Sequence, residues 1–268
     1  MDHRPSTKIE IRELTMAYGP HVVMRDINAR IREGDVFIIM GGSGSGKSTL
    51  LRTMIGLKPP TNGDVFYNDR SFWNSDTTEQ QLILRRFGVL FQNGALWSSM
   101  TLAENVALPL AEHTDLGAKE IHELVRLKLA LVGLRGFEDY MPAELSGGMR
   151  KRAGLARALA LDPEILFFDE PSAGLDPINA RHLDELILEL RDSLGATIVV
   201  VTHDLESIFA IGDDSIFLDA ATHTVRAQGI PRELLRSSDD SYLHEFLTRG
   251  KPSLPPPAPQ TGQAVNAF

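Results

Sequence analysis

The sequence contains no cysteine. That excludes disulfides and thiolate zinc sites, and it agrees with a reducing compartment. It has no excess of positive charge. The 27 Lys and Arg against 36 Asp and Glu leave a formal net charge of −9, which argues against a sequence-independent grip on nucleic acid. Long apolar runs are missing too. "VFIIM" and "IVVV" fall far short of the roughly 20 residues that span a bilayer, so a membrane connection would run through a partner. The opening "MDHRPSTKIEIREL" lacks the apolar stretch of a signal peptide, and none is expected. What is present is ordinary for a globular protein. The 268 residues are 43% apolar and 24% charged, enough for one large domain or two unequal subdomains.

Along the chain the periodicity changes twice. "KIEIREL" and "DINARI" alternate apolar and polar residues and read as half-buried strands, with turns expected at "MAYG" and "EGD". "VFIIM" is a continuous apolar run, as expected of a strand buried on both faces. "TLLRTMIG" reads as a helix ended by Gly56, "NGDVFYND" as a turn and a strand, and "GVLFQ" as a short buried strand. From about Met100 to Ala160, Leu, Ala, Glu and Arg dominate, which predicts a mainly helical insert. The α/β rhythm then returns. "EILFF" and "TIVVVT" read as buried strands flanking an amphipathic helix, "INARHLDELILELRDSLG", closed by Gly195. "SIFLD" and "HTVRAQG" predict a closing strand pair, and "PRELLRSS" and "SYLHEFLTRG" short helices. Residues 251–268 are proline-rich and polar, which predicts a disordered tail.

The chemistry concentrates at strand ends. "GGSGSGKST" supplies Gly41, Gly42, Ser43, Gly44, Ser45, Gly46, Lys47, Ser48 and Thr49, and matches G-x-x-x-x-G-K-[ST] from Gly41 to Ser48. Glycines let successive backbone N–H groups turn toward phosphates. Lys47 then reaches the β- and γ-phosphates, and the Ser48 hydroxyl ligates Mg²⁺. A flexible glycine-serine loop is the bland alternative, and the strand before and helix after argue against it. "ILFFDEP" puts Asp169 and Glu170 at the carboxyl end of a buried strand, where open parallel sheets bind ligands. Asp169 is read as a Mg²⁺ holder and Glu170 as the general base for an attacking water. His203 and Gln92 end "TIVVVTH" and "VLFQ" in the same way. His203 is read as a γ-phosphate sensor, and the Gln92 amide as a contact to Mg²⁺ or the water. Tyr18, before Gly19, either stacks on adenine or packs at a strand end.

A second glycine pair stands a hundred residues further on. In "LSGGMRKRAGLARAL", Ser146 suits an N-cap, and Gly147 and Gly148 fall in the first helical turn. Two glycines weaken a helix by roughly 1 kcal/mol each against alanine, and close approach to a phosphate is a reason to keep them there.

In this order the motifs over roughly Lys8–Thr248 resemble the ATPase subunits of ABC transporters. Tyr18 matches the adenine-stacking aromatic, "GGSGSGKST" the Walker A loop, Gln92 the Q-loop and "LSGGM" the signature. "ILFFDE" matches Walker B, "SAGLD" the D-loop and His203 the switch histidine. The resemblance implies an α/β P-loop NTPase fold of the ABC ATPase kind over residues 1–250. It also implies an antiparallel β portion and a helical subdomain at about 94–160. ATP and Mg²⁺ are the implied cofactors. Two copies are implied to pack head to tail, so that Ser146, Gly147 and Gly148 bind the γ-phosphate held by the other copy. Two positions depart from the pattern. Met149 stands where many members have Gln, and Gly42 where Pro or Ser is commoner.

"FQNGALWSSMTLAENVALPL" further resembles the ATPases of MCE-type (Mla-like) lipid transporters. That implies permease partners, a periplasmic MCE-domain protein and a small STAS-domain subunit, with no nucleic-acid partner. The chain would sit at the cytoplasmic face of the inner membrane, held there through its permease. The expected function is ATP hydrolysis that drives transport of phospholipid or a related hydrophobic compound. An importer ATPase for amino acids or other small solutes would share every catalytic residue. A DNA-repair or translation-type ABC protein fits poorly, because the chain has no cysteine zinc module, little room for a coiled coil and one copy of each motif. Trp97 in that segment is read as either an exposed interface anchor or part of the core.

Overall fold

The computed structural model describes residues 6–250. The proline-rich stretch expected to be disordered lies outside the described residues. The chain opens with a long hairpin, β1 Thr7–Tyr18 and β2 His21–Arg32, closed where Tyr18 pairs with His21. β1 runs to Tyr18, and the turn expected at "MAYG" falls at Gly19, whose φ is +57°. A bulge at Glu13, with φ +49°, shifts the register between Ile11 and Leu14. The buried set therefore passes from Ile9 and Ile11 to Leu14 and Met16, out of phase by one residue.

β3 Val36–Gly41, α1 Lys47–Met54, β4 Asn62–Tyr67 and β5 Arg70–Ser71 follow. Asn62 and Gly63 lie inside β4. The turn comes after it, at Asn68 and Asp69, whose φ values are +48° and +62°, the pairing a two-residue hairpin favours. α2 Thr77–Leu84 and β6 Phe87–Leu90 lead into a helical stretch made of α3 Leu102–His113, α4 Ala118–Leu131 and α5 Gly147–Ala158. Next come β7 Ile165–Asp169, α6 Pro177–Leu194, β8 Thr197–Val201 and α7 Leu205–Ile211. The chain then closes with β9 Asp214–Asp219, β10 Thr224–Gln228, α8 Pro231–Ser237 and α9 Ser241–Thr248. Gly195 ends α6 at φ +64°, as its position predicts.

Two sheets result. One is antiparallel, in the order β2-β1-β4-β5, and the other runs β10-β9-β3-β8-β7-β6. In the second, β9, β3, β8, β7 and β6 are mutually parallel and β10 is antiparallel at the edge. The continuous apolar strands serve two cores at once. Phe37, Ile39, Phe167, Val199 and Val201 face α1 and the antiparallel sheet. Val36, Ile38, Leu166, Phe168, Ile198 and Val200 face α3–α7 and α9. Strict alternation between two apolar environments leaves no polar position in the run. It also leaves the carboxyl ends of β3, β6, β7 and β8 side by side, and those ends carry the candidate site.

Candidate functional site

The loop after β3 is shaped by glycines that no other residue could replace. Gly41 has φ +151°, and a Cβ there would lie 2.4 Å from the Leu218 carbonyl oxygen. Gly46 caps α1 at φ +88°, and its Cβ would meet Met24 Cγ at 2.8 Å. Between them the chain curls around Lys47, whose Nζ donates to the carbonyl oxygens of Gly41 and Gly42, both at 2.9 Å. Burial holds the Lys47 ammonium below its ordinary pKa, and the Glu170 and Asp169 carboxylates oppose that shift. The cation is thus fixed at the mouth of the loop with little water around it, where it attracts phosphate most strongly.

Glu170 follows β7 and takes φ +50°, a sparsely populated backbone conformation. Its N–H donates to the Val201 carbonyl at 2.8 Å, and its Oε1 lies 2.8 Å from His203 Nδ1. Gly41–Gly44, Lys47, Ser48, Gln92, Glu170 and His203 line one cleft of about 860 Å³. Residues read separately from strand ends therefore converge.

Asp169 lies beneath this cleft. Burial pushes its carboxyl up, and the Glu170 charge adds to the effect. The nearby Ser48 hydroxyl works against that rise, and Asp169 Oδ1 is buried without a hydrogen-bond partner among the described residues. A half-buried carboxylate with an orphaned oxygen beside a hydroxyl fits Mg²⁺. This ion typically takes one or two carboxylates and completes its shell with phosphate oxygens and water.

Of the sequence-predicted residues, Ser45, Gly46 and Thr49 of the loop stay outside the cleft lining with Asp169, and so do Tyr18 and the Ser146–Gly148 turn. Tyr18 is half exposed; Thr49 and Arg52 beside its hydroxyl hold it below the ordinary phenol value, and Lys58 Nζ stands 4.3 Å from its ring centroid. It flanks the loop from the α1 side. Ser146 caps α5, accepting from Met149 N–H at 3.2 Å, and it too is absent from the cleft lining. A Cβ on Gly147 would meet nothing within 4 Å, and one on Gly148 would meet only Leu175 and Asn179 at 3.7 Å or more. Nothing in this chain's own fold requires those glycines.

The structure adds α9, which sequence reading took only as a short helix. Tyr242, Phe246 and Arg249 form the far wall of the cleft. A Cβ on Gly42 would touch Tyr242 Oη at 3.4 Å, so the unusual glycine in the loop lies directly beneath this helix. Arg249 Nη2 reaches Asp204 Oδ1 at 3.4 Å, next to His203. No local signal links residue 242 to residue 42, because only the sheet topology brings them together.

A profile of the ABC transporter family matches residues 24–173, more than half of the chain. The chain belongs to this family. Among curated relatives it is 43% identical over 239 residues to the "probable ribonucleotide transport ATP-binding protein mkl" of Mycobacterium tuberculosis. That alignment covers 89% of this chain but 66% of the relative, so the chain spans just under two thirds of the mycobacterial protein's length. It is 40% identical over 231 residues to the "intermembrane phospholipid transport system ATP-binding protein MlaF" of Haemophilus influenzae, covering 86% of this chain and 87% of the relative. Against the Escherichia coli K12 protein of the same name it is 38% identical, covering 92% and 91%. A solved ATP-binding cassette, a dimer in a post-hydrolysis state with ADP and Pi, superposes with a TM-score of 0.75 at 32% identity. That match covers 82% of this chain and 97% of the cassette. These neighbours share the α/β cassette fold with its antiparallel sheet and helical segment. Among the described residues no helix is long and apolar enough to cross a membrane.

Proposed function

We propose that this chain is the ATP-hydrolysing subunit of a membrane ABC transporter that moves phospholipid or a related hydrophobic compound between membranes of the cell envelope. One observation carries the catalytic part: the Glu170 carboxylate, bonded to His203, shares a cleft with Lys47 and the glycine loop. The loop N–H groups and Lys47 bind the β- and γ-phosphates of ATP. Glu170 accepts a proton from water as the water oxygen attacks the γ-phosphorus. The bond to the β,γ-bridging oxygen breaks, which gives ADP and phosphate. His203 holds the base in position, and Gln92 orients the water. Mg²⁺, held by Ser48, Asp169 and Gln92, supplies charge neutralisation at the phosphates. Tyr18 stacks on the adenine.

The site is completed by a second copy. Gly147 and Gly148 open a helix at an intrinsic cost, yet no neighbour within the chain crowds them. Close approach of a phosphate from outside the chain accounts for both. In a head-to-tail dimer Ser146 and these N–H groups cover the ATP bound by the partner's loop.

The partner face is an apolar groove of about 510 Å³ between α2, β6, α3 and α5, bordered by Leu84, Phe87, Phe91, Pro109 and Leu161. It suits a permease segment that anchors the chain at the cytoplasmic face of the inner membrane. The names of the MlaF relatives favour a lipid system, and the resemblance of "FQNGALWSSMTLAENVALPL" to MCE-type ATPases supports an MCE-domain protein and a STAS-domain subunit as partners. The name of the mycobacterial relative favours a second reading, import of a small solute. Copurification separates the two, because recovery of a solute permease with no MCE-domain protein overturns the lipid reading. The dimer is tested by mixing Ser146→Arg and Lys47→Ala chains. Each is inactive alone, and the mixture is expected to recover part of the ATPase because one composite site stays intact. Wild-type activity of the Ser146→Arg chain alone would remove the signature from the site.

A further inference from the structure

Lys151 lies on α5, five residues after Ser146, and is 6% exposed. Its Nζ donates to the carbonyl oxygens of Pro171 and Ala173, both at 2.6 Å, and of Glu170 at 3.3 Å. An ammonium has three N–H bonds, so all of them are spent on one four-residue turn. Burial lowers its pKa from the ordinary lysine value, and the Glu170 charge partly restores it. An unpaired buried cation is costly, and a packing role alone would be met by Met or Leu. The turn it grips begins with Glu170 at φ +50°. Such a conformation persists only when its surroundings over-determine it.

We propose that Lys151 is a positioning residue that fixes the Glu170 turn from the signature helix, so that the base is aligned only when α5 is correctly seated. The inference rests on the composite-dimer reading above. In that dimer the first turn of α5 lies in one ATP site, while Lys151 grips the base of the other. Closure of the signature onto one ATP is thereby transmitted, through about one and a half turns of helix, to the carboxylate at the second.

The test uses the full chain with Lys151→Met, Lys151→Gln and Lys151→Arg, alongside wild type and Glu170→Gln. Lys151→Met keeps the stem and removes the donors. It is expected to bind Mg·ATP within two-fold of wild type, to lose at least ten-fold in kcat with little change in KM, and to lower the Hill coefficient for ATP toward 1. Lys151→Arg, which keeps the cation and its donors, is expected to recover most of the rate. A wild-type kcat for Lys151→Met overturns the proposal. So does a loss of kcat that Lys151→Arg fails to restore, since that pattern marks packing alone. If Lys151→Met does not fold, Lys151→Gln decides. Its two N–H donors predict an intermediate kcat at unchanged ATP affinity, and a wild-type rate overturns the clamp. The Ser146→Arg and Lys47→Ala mixture separates this from the dimer reading, and Glu170→Gln separates it from the base assignment. If that variant turns over normally the base assignment fails, whereas if it is inactive and Lys151→Met is normal only the clamp fails.

Discussion

His203 Nδ1 and Glu170 Oε1 stand 2.8 Å apart across the ends of two adjacent parallel strands, β8 and β7. The contact joins an exposed ring to a mostly buried carboxylate, with side-chain exposures of 67% and 14%. The Glu170 carboxylate is therefore anchored on its outer side by a residue that a nucleotide or a second chain can reach.

Replacing Glu170 by Gln keeps the shape and the His203 contact but removes the proton acceptor. Lys47, Ser48 and Asp169 are untouched, so Mg·ATP binding is expected to stay within a few-fold of wild type. Steady-state hydrolysis is expected to fall at least 100-fold, about 2.7 kcal/mol of barrier, and the ATP-bound dimer should accumulate in size-exclusion chromatography. Turnover within a few-fold of wild type would remove Glu170 from the role of base.

Lys47→Ala acts earlier, on binding. The phosphates lose a desolvated point charge, and the Gly41 and Gly42 carbonyls lose the donor that engages them at 2.9 Å. Nucleotide titration is expected to show at least a ten-fold weaker Kd, with hydrolysis lost in step. Unchanged affinity and turnover would sink the phosphate-loop assignment.

How much of this was legible in the sequence depends on how local each cause is. The glycine loop could be read because its constraint is steric and short-range: Gly41 and Gly46 adopt φ values that other residues avoid. The strands β3, β7 and β8 could be read because burial on both faces leaves unbroken apolar runs. The bulge at Glu13 was missed, because "KIEIREL" reads as one alternating strand although its buried set shifts phase between Ile11 and Leu14. α2 was missed because Ile83 is its one buried residue, so it carries almost no apolar face. The grip of Lys151 on the Glu170 turn and the approach of Tyr242 to Gly42 have no local signature. Both arise where elements distant in sequence pack together.

Asp184 on α6 gives a pH prediction away from the site. Its Oδ2 accepts from the Ser207 hydroxyl of α7 at 2.8 Å, while its Oδ1 is buried without a partner among the described residues. Burial pushes its pKa from 3.8 up to about 6, with Asp204, Glu185 and Glu206 adding negative charge nearby. The folded state therefore holds a proton that the unfolded state has released between those two values. Stability from this group falls as pH rises from about 4 through about 6, then levels off, by at most about 3 kcal/mol. In urea unfolding from pH 4.5 to 7.5, Asp184→Asn is expected to remove that slope and to gain on wild type as pH rises. Parallel pH profiles for the two proteins would contradict the buried, proton-holding Asp184.

The last prediction concerns Trp97, which the sequence left as either core or anchor. Its side chain is exposed, at 58%, so the core alternative falls. Its backbone, by contrast, is held firmly. Buried Asn105 accepts from the Trp97 N–H at 2.7 Å, and its two amide N–H bonds are shared among the carbonyls of Trp97, Met100 and Thr101 at 2.8 to 3.1 Å. One amide thus fixes the turn without help from the indole. Removing the indole should leave the turn in place, and a surface change of this kind usually moves stability by no more than about 0.5 kcal/mol. A large aromatic presented on a rigid turn is what an interface anchor requires. Trp97→Asp is therefore expected to melt within a few degrees of wild type and to keep basal ATPase within two-fold. Copurification with the permease, and stimulation by it, are expected to fall at least ten-fold, and a deletion strain carrying the variant should remain detergent-sensitive. Asn105→Ala should instead destabilise the isolated subunit, because it leaves the Trp97 N–H and the Met100 carbonyl without this partner and takes a second donor from the Trp97 and Thr101 carbonyls. If Trp97→Asp still copurifies with the permease and restores the barrier, the anchor lies elsewhere on the surface and Trp97 is an ordinary exposed aromatic.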